Sequence, residues 1–596
     1  MTTQIITRTT GRKAGSTFGA EPSSRIATRP SVWKWVAAAA LLAGLAACSN
    51  NDDSWSPQVS GKVTYDHVPT ASSGSGDSAT AKLDYDATAV MPARNIVVEL
   101  VDNASGDVLE STTTADDGSY TLKLPVSATV YLRARAHSVH GSPDAPDWSF
   151  TVRDNTTGDI SADPDSTLEY SIVGEAFDTG FENHSRDLHA ASGWTGSGYD
   201  AAARAAGPFQ VLDMIETAAR KLQSVEPDLQ LPALNVFWSP KNRPIAEGQT
   251  PDDKAGLLLT SLYVNTLESE DVDAADRRYG LFLLGAENVD TDEYDLSVVA
   301  HEFGHYVEDK LSRADNIGGE HSNEDVLDMR VAFGEGWGDG FSSIVRETPT
   351  YVDTIGPQQA QPGLVVDVSK LPDGVFVIGW TSQLAVSNML YTLNQAPEVG
   401  FAPIYETLRN EQRVTPAQTS LFSFATYLRA RLAPGGQAVL DNLLAKVNTV
   451  NGTQLDIWGS NQTLEVPGNP GLDPLFTPVT TTLSATPQKV CLSNTFGTDN
   501  KLANWRVLRI EVAGDGRYNL LAKPVDTGDD WAYGFMVWQA GKEQPDQSSD
   551  SEKNIGRFDL KAGEFAAVVS ADKLFGDDAV ASPKMTRCVE VSIAAN

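Results

Sequence analysis

Two histidines four residues apart, with a glutamate directly after the first, stand in the run SVVAHEFGHYVED from Ser297 to Asp309. On an α-helix, residues four apart share a face, so the imidazoles of His301 and His305 can meet one ion. Glu302 then lies about 100° round the helix, beside the ion, where it can activate a metal-bound water. Leu296, Val299, Phe303 and Val307 supply an apolar stripe to anchor that helix. A zinc hydrolase needs a third protein ligand and one open position. The later run RVAFGEGWGDGFSSIV carries Glu335 and, four residues on, Asp339. Glu335 can complete a His₂Glu set, and Asp339 can reach the free ring nitrogen of a ligand histidine. Gly334, Gly336, Gly338 and Gly340 alternate through the same segment, each lowering helix propensity by roughly 1 kcal/mol. A helix that tolerates this has a use for small residues, and close approach to the first helix is a sufficient one.

VVAHEFGHYVED and GEGWGD together resemble the gluzincin metallopeptidases of the thermolysin-like and fungalysin-like group, with looser similarity over about 270–395. The resemblance implies His301, His305 and Glu335 as Zn²⁺ ligands, Glu302 as general base and Asp339 as the orienter of a ligand histidine. It also implies that the strand from Tyr279 to Gly285 is an edge strand that pairs with an extended peptide. The chain departs from the group in one respect. Thermolysin-like enzymes carry a further histidine beyond the glutamate ligand to stabilise the oxyanion, and none of the eight histidines here lies after His321. His321, between the two motif segments, and Tyr391, in SNMLYTL, are the candidates for that catalytic role. The function so implied is zinc-dependent hydrolysis of peptide bonds in extracytoplasmic proteins or peptides, through a zinc-bound water activated by Glu302. The alternative is a surface binding or adhesion lipoprotein whose peptidase domain is vestigial.

Carboxylates cluster on both sides of the motif, in NVDTDEYD (Asn288 to Asp295) and SNEDVLD (Ser322 to Asp328). Either could hold Ca²⁺, although neither has EF-hand spacing. The histidines at 67, 137, 140, 184 and 189 lack partner spacing and read as surface residues.

The elements that must position these groups belong to a long, acidic chain. Its 596 residues exceed what one core supports. With 45 Lys+Arg against 79 Asp+Glu, the formal charge is −34, which argues against nucleic-acid partners. Near the N-terminus, basic residues precede WVAAAALLAGLAAC, too short to span a bilayer and shaped like a signal peptide. Its end, Leu45 to Cys48, resembles the bacterial lipobox, which implies lipidation of Cys48, membrane anchoring there and, with Ser49 following, outer-membrane sorting. Three cysteines are present. Once Cys48 is assigned to lipid, Cys491 and Cys588 remain as a disulfide pair for an oxidising compartment, closing a loop that contributes roughly 4–5 kcal/mol on the chain-entropy estimate.

The fold expected is multidomain: an α+β zincin-like metallopeptidase domain flanked by N- and C-terminal antiparallel β-sandwiches. Residues 1–47 are read as the lipoprotein signal peptide and 48–57 as a linker. Short alternating runs over 58–150 predict a sandwich, and TTTADDGSYTL gives it a resemblance to the transthyretin-like, carboxypeptidase-regulatory modules. Over 175–465 the pattern is α+β and is read as the metallopeptidase domain, with strands at LPALNVFWSP and RRYGLFLLGAE and helical segments dominating from Asp295 to Arg346. Strand alternation returns over 472–596. The oligomeric state is not legible.

Overall fold

The computed structural model describes residues 56–596 apart from 75–77, 143, 161–162, 247, 268–276, 372–378, 463–478, 484–485, 526–527, 549–553 and 576–583. The leader and Cys48, with the lipid anchor assigned to it, lie outside the described residues. Among those described, no helix is long and apolar enough to cross a membrane.

The chain is multidomain and rich in β-sheet. Gln58–His67 is the centre of a five-stranded sheet, pairing antiparallel with Ala89–Pro92 and Ser119–Lys123 and parallel with His184–Ser185 and Leu188–Ala190. Its inward residues Val59, Val63, Tyr65, Tyr120 and Leu122 share one core with Val98, Leu100, Val130 and Leu132 of a second, larger sheet. Alternation of apolar and polar residues at period two makes these strands one-sided and drives the two sheets together.

That larger sheet crosses the boundary expected between 150 and 175. Ala145–Asp154 pairs antiparallel with Thr129–Ser142 on one side and parallel with Leu234–Trp238 on the other. Tyr279–Leu283 follows, parallel to Leu234–Trp238, and Leu262–Asn265 closes the edge antiparallel to it. The sandwich and the motif-bearing block are therefore built on one ten-stranded sheet. Residues 177–190 return to the sandwich instead of opening the next block. The expectation of a wholly antiparallel sandwich fails for the same reason: strands supplied by a returning chain pair parallel with Gln58–His67. Run composition sees where strands are, not which strand each one meets.

Of the seven α-helices among the described residues, the first two pack on this sheet and the others build outward from them. The seven are α1 (Ala206–Gln223), α2 (Leu296–Leu311), α3 (Met329–Val345), α4 (Gln383–Gln395), α5 (Phe401–Glu406), α6 (Leu421–Arg431) and α7 (Pro434–Lys446). The HEFGH run lies in α2 and the GEGWGD run in α3. The strand Tyr279–Leu283 is second from the edge, which corrects its expected place; the edge is Leu262–Asn265.

The C-terminal residues form a five-stranded and a four-stranded sheet around a separate core that includes Leu508, Val537, Phe558, Phe565 and Val591. Cys491 and Cys588 face each other on paired strands and are joined by a disulfide, with Cα atoms 4.0 Å apart. A turn of this region reaches back to the helices: Leu502, Ala503 and Trp505 belong to the main core.

Candidate metal centre

The α2–α3 crossing is set by small residues. A Cβ on Gly304 would lie 3.3 Å from Gly338 Cα. A Cβ on Gly338 would lie 2.7–2.9 Å from the imidazole atoms of His301. Gly338 is thus the place where a side chain would displace a functional ring. Gly336 and Gly340 face α4 instead, where Cβ atoms would meet Val386 and Leu390. The crossing is tied by polar bonds as well: Trp337 Nε1 donates to Gly304 O at 2.9 Å, and Ser342 Oγ donates to Ser297 O at 2.8 Å.

At this crossing the spaced residues converge. His301 Nε2 and His305 Nε2 are 3.0 Å apart, and Glu335 Oε2 lies 3.4 Å from the first and 3.5 Å from the second. Tetrahedral donors at about 2.0–2.1 Å from a common ion are separated by about 3.3 Å, so the set fits a zinc-sized cation. All three side chains are buried, and Glu335 Oε2 faces the Nε2 atoms of His301, His305 and His321 at 3.3–3.5 Å. Its other oxygen, Oε1, accepts from Asn316 Nδ2 at 2.8 Å. His301 Nδ1 donates to Asp339 Oδ1 at 2.9 Å, which leaves Nε2 facing the centre. Glu302 is buried one residue away, and its Oε2 accepts from the Tyr263 N–H at 2.7 Å. That N–H belongs to the edge strand Leu262–Asn265 and is turned to the helix.

The electrostatics follow from burial and neighbours. Burial pushes the Glu302 carboxyl up to about 8, against the pull of His301. Burial alone would raise Glu335 too, but the imidazoles of His321, His305 and His301 outweigh it and hold its carboxyl well below the usual range. Burial disfavours the His301 cation, yet Asp339 and Glu335 outweigh it and raise its pKa well above the ordinary imidazole value. Burial wins at His305, whose pKa is lowered.

His321 joins the site. Its Nε2 is 3.3 Å from Glu335 Oε2, while its Nδ1 donates to Gly319 O at 3.0 Å. It stands outside the three-residue group whose ligand atoms all lie within 4.8 Å of one another, so it borders the carboxylate without completing the ligand set. Glu335 raises its pKa against the effect of burial. The loop carrying His321 is held by the C-terminal region. Asn500 Nδ2 donates to Gly318 O at 2.8 Å, Lys501 Nζ to Glu320 O at 2.6 Å and Leu502 N to Val326 O at 2.9 Å.

Tyr391 is not brought into hydrogen-bond contact with these groups; it lies on α4 near Asp367. The tyrosine beside the site is Tyr351, whose ring meets His301 edge-on at 6.0 Å between centroids. Tyr351, Asn316 and the Tyr263 N–H are the contributors that sequence spacing did not reveal. All three come from segments without a periodic signal for the site.

The two acidic runs differ in fate. In Ser322–Asp328, Asp328 pairs with Arg330 at 2.8 Å and caps α3, while Asp325 accepts from Ser322 N at 2.7 Å and lies 3.5 Å from Lys501 Nζ. In Asn288–Asp295, three aspartates turn inward and meet Asp353. Burial, then mutual repulsion, pushes Asp290, Asp295 and Asp353 well above the usual carboxyl range. Burial also pushes Asp292 up to about 6, opposed by the Ser261 hydroxyl.

No protein-family model matches the chain, and no curated protein matches it. Among solved structures, the pre-peptidase C-terminal domain of a Bacillus anthracis collagenase is 13% identical, spanning 20% of this chain and 97% of its own, with a TM-score of 0.14. PliG, a periplasmic inhibitor of g-type lysozyme from Aeromonas hydrophila, is 14% identical over 20% of this chain and 97% of its own, with a TM-score of 0.12. TM-scores of this size bear on neither fold nor function.

Proposed function

We propose that this protein is a zinc metallopeptidase of the gluzincin type, with α2, α3 and the large sheet forming a zincin-like α+β unit. The observation that carries the reading is the convergence of His301 Nε2, His305 Nε2 and Glu335 Oε2 within one buried space, with Glu302 alongside. The substrate class is a protein or peptide, and the edge strand Leu262–Asn265 is the element that would align an extended backbone. The leader sequence and the disulfide support an extracytoplasmic setting, with Cys48 as a lipid anchor in the bacterial outer membrane.

Bound Zn²⁺ would polarise the scissile carbonyl and make a water acidic enough to attack near neutral pH. The chain's own residues do the rest. Asp339 fixes His301 through Nδ1–H, so that Nε2 is the donor atom. Tyr263 N–H holds Glu302 by Oε2, leaving Oε1 to take the proton of the attacking water and return it to the departing amine. His321 Nε2, as a proton donor, is placed to stabilise negative charge developing beside Glu335.

Purified protein is expected to contain about one zinc per chain, with Glu335→Ala losing it. Casein or a peptide library should be cleaved by the wild type and spared when 1,10-phenanthroline is present. Zinc-free wild type, or chelator-insensitive cleavage, would overturn the proposal.

A further inference from the structure

We propose that Asp290, Asp292, Asp295 and Asp353 form a second metal site, which takes a calcium-type hard divalent cation and fastens the start of α2 to the strand Thr350–Ile355. One carboxylate oxygen from each residue lies within 4.8 Å of all the others, and all four side chains are buried. The inference is independent of the zinc reading, because none of these residues belongs to that centre.

Unpaired oxygens distinguish this from an ordinary acidic patch. Among the described residues, no donor from outside the cluster reaches either oxygen of Asp290, or Oδ1 of Asp292, Asp295 or Asp353, and all of these atoms are buried. Asp290 is only 1% exposed. Among the described residues, no lysine, arginine or histidine nitrogen forms an ion pair with any of the four, although ion pairs are formed throughout the rest of the molecule. Burying an uncompensated carboxylate costs several kcal/mol, and four together repel as well.

The outer oxygens are fixed from behind. Thr354 donates to Asp295 Oδ2 from its N–H at 2.7 Å and from its hydroxyl at 2.9 Å, and Ser261 Oγ donates to Asp292 Oδ2. These bonds hold the Asp292 and Asp295 carboxylates from outside the cluster, as donors behind a metal ligand do. Successive turns, Tyr294 N to Thr291 O and Asp295 N to Asp292 O, bring three aspartates of a short run round one point.

The donor set selects the ion. It is all oxygen, with no imidazole or thiolate, which disfavours zinc. Five carboxylate oxygens approach the six to eight that Ca²⁺ takes. Mg²⁺ usually keeps several of its waters, and a fully buried cluster suits it less. Asp295 is the N-cap residue of α2 and Asp353 lies on the strand after α3. A cation here would join two segments on either side of the histidine–glutamate centre.

The test is Ca²⁺ titration by calorimetry of chelator-stripped full-length protein, with thermal melts in Ca²⁺, in Mg²⁺ and in EGTA. Glu335→Ala is run in parallel so that chelator acts on the aspartates alone. About one Ca²⁺ per chain is expected in both, with a higher Tm in Ca²⁺ than in Mg²⁺. Asp353→Asn should weaken Ca²⁺ binding at least about tenfold. It should also lower Tm in Ca²⁺ but raise it in EGTA, where it removes a carboxyl group that must take up a proton to be buried. Asp290→Asn serves if that variant fails to fold. Folded wild type that takes up no Ca²⁺ at millimolar concentration, or a Tm indifferent to Ca²⁺, would overturn the proposal, whatever the zinc content.

Discussion

Two polar clusters are buried beside α2, and the chain treats their charge differently. Around Glu335, a carboxylate meets three imidazoles, one imidazole is backed by Asp339, and Glu302 receives a backbone N–H. Around Asp290, four carboxyl groups meet one another, and among the described residues five of their oxygens have no donor from outside the cluster. A mixed nitrogen–oxygen set can satisfy itself by sharing protons, so it is stable enough to bind and to react. An all-carboxylate set can relieve itself only by holding protons, in keeping with the raised pKa values of Asp290, Asp295 and Asp353, whereas a cation from outside would let all four ionise. The first arrangement suits chemistry, the second suits fastening.

Variants separate the two clusters. The largest effect is expected at Glu302→Gln, where peptide turnover should fall by about 10²–10⁴ while zinc and Ca²⁺ contents, read by elemental analysis, stay at wild-type levels. Asp339→Asn should come next, weakening zinc by about 10–100-fold through His301, with Ca²⁺ affinity unchanged in the same titrations. A matched loss of both ions there would break the distinction. Gly338→Ala should destabilise by about 1–3 kcal/mol in denaturant melts, because its Cβ would fall on the His301 ring. Zinc should leave that variant at lower chelator concentration, again without effect on Ca²⁺. The smallest change is expected at Lys501→Ala, which releases Glu320 O, and with it the His321 loop, from the C-terminal region. There kcat/KM should drop by less than about tenfold with zinc content intact, and the loop should become the first site of proteolytic nicking.

The chemistry-bearing residues of the first cluster were legible because helical geometry turns spacing into direction. Four-residue steps in HEFGH and EGWGD put donors on facing sides of α2 and α3, as periodicity implied. The glycines at 334–340 signalled close approach, although only Gly338 faces the His301 ring; Gly336 and Gly340 make room for α4. Tyr391, which makes no hydrogen bond to the site groups, and the edge-strand place expected of Tyr279–Gly285, which falls to Leu262–Asn265, both depend on long-range neighbours. Tyr351 touches His301 from a strand fifty residues on, with no periodic signal linking the two. The Asn288–Asp295 run suggested Ca²⁺ by its carboxylates, but nothing in it pointed to the fourth member, Asp353, which lies far away in sequence.

Sequence alone determined what depends on near neighbours: which segments are helix or strand and which side chains share a face. Tertiary structure decided what depends on closure between distant segments. It ran one sheet across an expected domain boundary, placed His321 under the hold of Asn500 and Lys501, and brought Asp353 to three buried aspartates. The physical reason is that local geometry fixes a side chain's direction within a few residues, whereas burial and charge compensation are properties of whatever the folded chain brings alongside.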